Sequence, residues 1–243
     1  NVNGLECLET VGQELQVTFN DALEDLNGLE NLDSVKGLMV SDNPVLKEIT
    51  GLSLVTDLDR DIQFINVPRL ETLSGLSNVT TIGGQLAITN TGLTSLGGLM
   101  SLTQVDGTVT LRENTALRDI ADLNQLSMLG DGLILVGNTQ LEMLTGLEQI
   151  QDIPGTFELS GNDKLVNVVG LERLAKIGGD LIIEQNRGIL ETGSLGALTL
   201  ISGAVTVRDN DNLIDIILPI PEVLNSLTIT DNDKLMTLGG LFA

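Results

Sequence analysis

The side chains that could do acid–base chemistry in this chain are almost all carboxylates. The sequence has 34 Asp and Glu residues and no histidine, which excludes Ser-His-Asp and Cys-His catalysis and metal sites built on imidazole. Two carboxylates at a suitable separation could still act as general acid and base. The acids, however, are scattered over variable positions, and there is no Trp or Tyr to hold a sugar ring. We therefore predict no enzymatic activity, no catalytic residues and no cofactor.

Oxygen ligands suited to a hard cation such as Ca²⁺ cluster in three segments. These are Asp209-Asn210-Asp211-Asn212, Asp231-Asn232-Asp233 and Asn162-Asp163. Neither the spaced Asp loop of the EF-hand nor the Gly-Gly-x-Gly-x-Asp repeat of calcium-binding coils is present. Asx residues in turns commonly bond to their own backbone. We predict no metal site, and weak calcium binding is left open.

Two residues are candidates for covalent modification. Cys7 is the only cysteine and falls in the outward part of its segment, where a thiol would be reactive. Our hypothesis is that Cys7 forms a disulfide with a segment missing from this chain, which requires an oxidising compartment. Asn78-Val79-Thr80 is a sequon, so Asn78 is a candidate for N-glycosylation. Both residues favour an extracellular or cell-surface location.

Asparagine shows the most regular spacing of any residue in the chain. With one gap, it recurs every 22 to 24 residues, each time three residues before a leucine or isoleucine. An Asn side chain offers two donors and an acceptor, so stacked copies can satisfy backbone groups that a corner leaves unpaired. We predict a structural asparagine ladder made of Asn20, Asn43, Asn90, Asn114, Asn138, Asn162, Asn186, Asn210 and Asn232. Val67 fills the gap, between Asn66 and Pro68, and predicts a local irregularity.

The rest of the sequence repeats with the same period. Residues 145–168 and 169–190 show most clearly the pattern Gly-Leu-x-x-Leu-x-x-Ile-Gly-Gly-x-Leu-x-Ile-x-x-Asn. One such unit cannot bury its apolar face alone, so this period indicates a stacked solenoid. Alternation of apolar and polar residues, as in Leu86-Ala87-Ile88, predicts a short strand in each unit. We predict an all-β fold, a parallel β-helix of about ten turns with ~24 residues each, in which residues 1–243 form one continuous solenoid.

The string SGLSNVTTIGGQLAITNTGLTSLGGL at residues 74–99 resembles the receptor L-domain repeat of insulin-receptor-type and epidermal-growth-factor-receptor-type ectodomains. The resemblance covers essentially the whole chain and implies a right-handed β-helix related to leucine-rich repeats. Related units serve ligand binding, adhesion and cell-surface architecture, but the cysteine-rich modules of those receptors are missing here. An ordinary leucine-rich repeat, with a helix at Gly-Leu-x-x-Leu-x-x-Ile, is the alternative fold. The Gly-Gly pairs and the many Thr and Val residues favour β structure.

The formal net charge of −22 bears on the partners of this chain. Such a surface repels phosphates and anionic lipid head groups, so we expect no nucleic acid partner. No apolar run approaches the ~18 residues of a membrane span, so we expect no membrane insertion in this segment. Repeats run to both termini without polar caps. We therefore expect the chain to be an excerpt of a longer array that lacks both caps.

Two functions fit these observations. The first is a non-enzymatic extracellular structural or adhesive module, a stiff acidic rod in a cell-surface assembly or filament, with protein partners or self-assembly and glycan as a further candidate. The alternative is a receptor-like ectodomain that binds a protein or glycan on a sheet face. Binding hot spots are enriched in Trp, Tyr and Arg, which are absent or scarce here. Ile134 and Ile182, predicted to point outward, are the residues to test first for contact.

Overall fold

The computed structural model describes residues 2–219 and 225–239, which form an all-β solenoid of parallel strands. The strands are, in chain order, β1 (Thr10–Thr18), β2 (Ser34–Ser41), β3 (Asp57–Leu58), β4 (Ile62–Val67), β5 (Thr81–Ile82), β6 (Leu86–Thr91), β7 (Gln104–Val105), β8 (Val109–Arg112), β9 (Met128–Leu129), β10 (Leu133–Val136), β11 (Asp152–Ile153), β12 (Phe157–Ser160), β13 (Lys176–Ile177), β14 (Leu181–Glu184), β15 (Leu200–Ile201), β16 (Val205–Arg208) and β17 (Leu227–Thr230). The predicted all-β solenoid is confirmed.

One large sheet runs along the whole described chain. Its ten strands follow the order β1-β2-β4-β6-β8-β10-β12-β14-β16-β17, and each pairs in parallel with the strand of the next turn. Ten strands enclose about nine complete turns, one fewer than the sequence-based estimate. At ~4.8 Å per strand the sheet is about 43 Å long. Two smaller sheets, β3-β5-β7-β9 and β11-β13-β15, lie on another side of the coil.

The interior is a narrow aliphatic core to which every turn contributes the same positions. In β10, Leu133 and Leu135 are fully buried, whereas Ile134 is only partly buried on the outer face. After β10, the inward residues of the same turn are three apart in sequence and are also fully buried: Leu141, Leu144, Leu147 and Ile150 in the loops, and Ile153 in β11. Burial of such side chains from water is the main stabilising force in the fold.

The three-residue spacing in the loops does not reflect an α-helix. Residues 2–219 and 225–239 contain three short 3-10 turns, Ser74–Leu76, Ala121–Leu123 and Gly193–Leu195, and no α-helix. The helix of the alternative leucine-rich fold is therefore not present in this part of the chain. The repeat opening at Gly240 and Leu241 lies outside the described residues.

The Gly-Leu pair marks a corner of the coil whose backbone form differs from turn to turn. In one form glycine has positive φ, as at Gly146 (φ 112°), and its N–H donates to the carboxylate two residues later, at Glu148 (2.9 Å). A Cβ at Gly146 would overlap the carbonyl of Ile120 in the preceding turn, so only glycine fits. At the first such corner the Gly4 N–H lowers the pKa of Glu6 through the same bond. At Gly75 the corner is instead a 3-10 turn.

Close packing between turns predicts a large cost for adding one methyl group at Gly98. A Cβ there would overlap the carbonyl and the side chain of Leu73. We expect Gly98→Ala to lower the free energy of unfolding by about 3 kcal/mol, the cost of overpacking. Gly12→Ala is the control, because a Cβ at Gly12 has no heavy atom within 4 Å. Urea denaturation followed by circular dichroism measures both, and equal midpoints for the two variants would contradict this packing.

Candidate functional site

The asparagine ladder lies at the corner that follows each strand of the large sheet. Its interior members are fully buried, and Asn162 shows the bonding pattern. The Asn162 Oδ1 accepts the backbone N–H of Asn138 one turn earlier (3.1 Å), and its Nδ2 donates to the carbonyl of Leu135 (2.8 Å). Each amide therefore satisfies two backbone groups of the preceding turn, which would otherwise be buried without partners.

The same pattern extends along most of the solenoid. The members whose side chains make these bonds to the preceding turn are Asn43, Asn114, Asn138, Asn162, Asn186, Asn210 and Asn232. At the N-terminal end Asn20 is exposed, and its backbone N–H and Nδ2 both donate to the Oδ1 of Asn43 (3.0 and 3.1 Å). These asparagines are engaged with backbone and with one another, which makes them structural groups.

The assignment of Asn90 to the ladder was wrong. Asn90 is exposed, has a φ of 52°, and donates through Nδ2 to the Oδ1 of Asn66 (3.1 Å). The ladder position belongs to Thr91, which is 5% exposed and donates through its N–H and hydroxyl to the Oδ1 of Asn114 (3.1 and 2.8 Å). The segment between the ladder and the next leucine is one residue shorter here, so counting back from Leu93 gave the wrong register.

At Val67, where an irregularity was expected, the strands extend into the corner that the ladder occupies in other turns. Val67 is fully buried and pairs with Thr91 in the sheet. Strands β4 and β6 therefore extend to the ladder position and have six residues, whereas β8 to β16 in the same sheet have four. Where the ladder side chain is missing, strand pairing continues through the corner in its place.

The residue just before each ladder position has a left-handed backbone. Its φ lies between 52° and 70° in every turn, at Phe19, Asp42, Asn66, Asn90, Glu113, Gly137, Gly161, Gln185, Asp209 and Asp231. Gly, Asn and Asp tolerate this conformation better than other residues. This left-handed conformation explains the presence of Asp at positions 209 and 231, two of the candidate calcium ligands. Within residues 2–219 and 225–239, no three Asp, Glu or Cys side chains are grouped closely enough to hold a metal ion.

The two candidate modification sites are both on the surface. Cys7 is an exposed free thiol. Asn78 is exposed, and its Nδ2 donates to the carbonyl of Ser53 in the preceding turn (2.7 Å). The disulfide of Cys7 and the glycosylation of Asn78 stay predictions.

The outer face of the large sheet is the broadest candidate binding surface. Ile134 and Ile182 lie on it, half-buried, with Glu158 paired in register between them. In the neighbouring column the Arg208 guanidinium donates to the Glu184 carboxylate (2.6 Å), which raises the pKa of Arg208. The face therefore mixes isolated aliphatic side chains with charged pairs.

No helix in the described residues is long and apolar enough to cross a membrane. No model of a known protein family matches the sequence, and comparison with curated proteins also gave no match. The structure supports a solenoid repeat protein.

The ladder predicts different costs for two asparagines that look alike in sequence. We expect Asn162→Gly to lower the free energy of unfolding by about 3 kcal/mol, because a buried N–H and a buried carbonyl lose their partners. Asn90→Gly is the matched control and should change it by less than about 1 kcal/mol, since glycine suits a positive φ. Urea denaturation of both variants tests this. A larger loss of unfolding free energy for Asn90→Gly than for Asn162→Gly would mean that Asn90 does occupy a ladder position.

A second test introduces the missing ladder side chain. In Val67→Asn the new amide lies where it can accept the N–H of Asn43 and donate to the carbonyl of Val40, as the other ladder amides do. We expect a loss of less than about 1 kcal/mol, against about 3 kcal/mol for Val168→Asn in the aliphatic core, where the amide is left without ladder partners. Thermal unfolding compares the two. Equal losses would mean that the corner cannot accept an amide in this turn.

Proposed function

We propose that this protein is a non-enzymatic structural or adhesive module, a stiff acidic rod within an extracellular or cell-surface assembly. The observation that carries the proposal is the single parallel sheet of ten strands, which runs through every turn without interruption. We also propose that the chain is a relative of the receptor L-domain repeat, on the strength of the Gly-Gly, Leu-x-Ile and Asn pattern it shares with that family.

The interior supports a mechanical role. Among the described residues, no buried side-chain nitrogen or oxygen lacks a hydrogen-bond partner, so the core offers no polar group for a substrate. The ladder bonds join each turn to the next, so bending the rod would stretch hydrogen bonds as well as aliphatic contacts. A coil braced in this way suits a spacer that holds other groups at a fixed distance.

The surface supports an extracellular place for the rod. Asn78 is accessible for a glycan and Cys7 for a disulfide, and neither side chain supports the core. The net charge of −22 keeps separate rods apart. Assembly would therefore need a partner of opposite charge, divalent cations or a local contact that overcomes the repulsion.

A receptor-like ectodomain is the second candidate. Its support is the outer face of the large sheet, where Ile134 on β10 and Ile182 on β14 are partly exposed, with Glu158 of β12 between them. A ligand bound there would cover both side chains. The same solenoid could carry either function, because the outward positions are independent of the core.

Immuno-electron microscopy on intact cells tests the proposed role. Antibodies raised against the purified chain should label the outside of unpermeabilised cells, in continuous or filamentous arrays. Labelling seen only after permeabilisation would contradict the proposal.

A binding screen separates the two candidates. Glycan arrays and cell lysates are probed with the wild-type chain and with Ile134→Glu/Ile182→Glu, two changes on the solvent side that leave the core intact. A soluble ligand captured by the wild type and lost in the variant would favour the receptor. Filaments formed equally by both would favour the structural role.

A further inference from the structure

One column of exposed side chains changes from charged or polar to apolar residues along the solenoid. It holds the residue that directly follows the inward leucine or isoleucine after each ladder position. Along the chain its members are Glu24, Lys47, Glu71, Thr94, Arg118, Glu142, Val166, Leu190, Ile214 and Met236. The first six are charged or polar, and the last four are aliphatic. We call Val166, Leu190, Ile214 and Met236 the aliphatic stripe.

The stripe side chains are open to solvent. Their exposed fractions are 44% for Val166, 45% for Leu190, 37% for Ile214 and 75% for Met236. The backbone holds them in line, because the N–H of Leu190 donates to the carbonyl of Val166 (3.0 Å) and the N–H of Ile214 to that of Leu190 (2.9 Å). The N–H of Met236 continues the series to Ile214 (2.9 Å).

The fold itself does not require aliphatic residues in this column. In the charged half the same backbone bonds form, from the Glu71 N–H to the carbonyl of Lys47 (2.7 Å) and from the Glu142 N–H to that of Arg118 (2.9 Å). Charged side chains therefore satisfy the same local geometry. Four adjacent exposed aliphatic residues are better explained by contact with another molecule than by folding.

Beside the stripe in sequence lie five acids, Asp163, Glu191, Asp211, Asp215 and Asp233, and three cations, Lys164, Arg187 and Lys234. Arg187 pairs with Asp163 (3.4 Å), and Lys234 donates to the Oδ1 of Asn212 (2.6 Å). Among the described residues, no cation pairs with Asp211 or Asp233 on the adjoining corner. A partner that covers the stripe therefore meets free carboxylates at its edge.

We propose that the aliphatic stripe binds an extended segment of a partner protein that carries aliphatic side chains on one face and Lys or Arg beside them. Four stacked positions span about 14 Å, and aliphatic residues at positions i, i+2 and i+4 of an extended strand cover about 13.6 Å, so such a segment reaches from one end of the stripe to the other. The basic residues alternate with the aliphatic ones and so start on the opposite face of the segment, but their long flexible side chains can turn toward the carboxylates of Asp211 and Asp233 at the edge of the stripe.

A second copy of this chain fits the stripe less well than such a segment. Two copies would each bring a net charge of −22 to the interface. Four partly exposed side chains also offer less than the ~800 Å² per partner that a stable dimer buries. The inference rests on the proposed role as a rod within an assembly, and it names the chemistry of one partner.

Fluorescence anisotropy with a labelled synthetic peptide, Lys-Val-Lys-Ile-Lys-Val-Lys, tests the proposal on the whole chain. We expect saturable binding that Leu190→Gln/Ile214→Gln weakens about tenfold or more, because two aliphatic contacts are lost. Leu54→Gln/Met100→Gln is the matched control, since both residues are apolar and about half exposed, at 50% and 52%, away from the stripe. This control should bind as the wild type does.

Two further peptides separate aliphatic contact from charge. Replacing Val and Ile by Ser, or Lys by Glu, should abolish binding in each case. Equal binding of the Ser peptide, or unchanged binding to Leu190→Gln/Ile214→Gln, would overturn the proposal. So would sedimentation showing that wild-type chains dimerise and that this double variant does not, because the occupant would then be a second copy. Surface labelling of cells is independent of these results, so loss of the stripe would leave the rod proposal standing.

Discussion

The structure depends on satisfying the backbone groups at the corner after each strand of the large sheet. A narrow coil leaves N–H and C=O groups there, pointing into an interior that water does not reach. The Asn162 amide satisfies two of them in the preceding turn, the N–H of Asn138 and the carbonyl of Leu135. Because the bonds cross between turns, each turn is completed by its successor, and neighbouring turns are coupled in stability.

This constraint does not restrict the residue types at the outward-facing surface positions. A few positions per turn, the inward aliphatic residues, the ladder and the corner glycines, carry the folding information. The outward positions carry little, so the same column holds Lys47 in one turn and Leu190 in another on the same backbone. Function in such a molecule lies in what its surface columns present, and this is why an exposed aliphatic residue in a column of charges is more informative than a buried one.

The part of the ladder that sequence reasoning placed wrongly shows where periodicity stops being a reliable guide. Asn90 precedes its leucine by the same three residues as Asn114 does, yet it lies outside on a left-handed corner, and Thr91 is inside. Counting from the strand would have found Thr91, because it follows the inward Ile88 by three residues, as Asn114 follows Leu111. This turn is one residue shorter than its neighbours, and the structure shows that the loop between Thr91 and Leu93 is the shorter part, not the strand. The sequence alone does not distinguish a shorter loop from a shorter strand.

The sequence by itself determined the period, the strands, the aliphatic interior and the stacking, because a repeated unit that cannot bury its apolar face alone must pack against its neighbours. It also determined that an amide stands at nearly every corner. The tertiary structure decided which backbone groups each amide reaches, how Val67 is accommodated, and that Val166, Leu190 and Ile214 line up in the open. Those features depend on the register between turns. Register is set by contacts between residues about 24 positions apart, and a local pattern does not encode it.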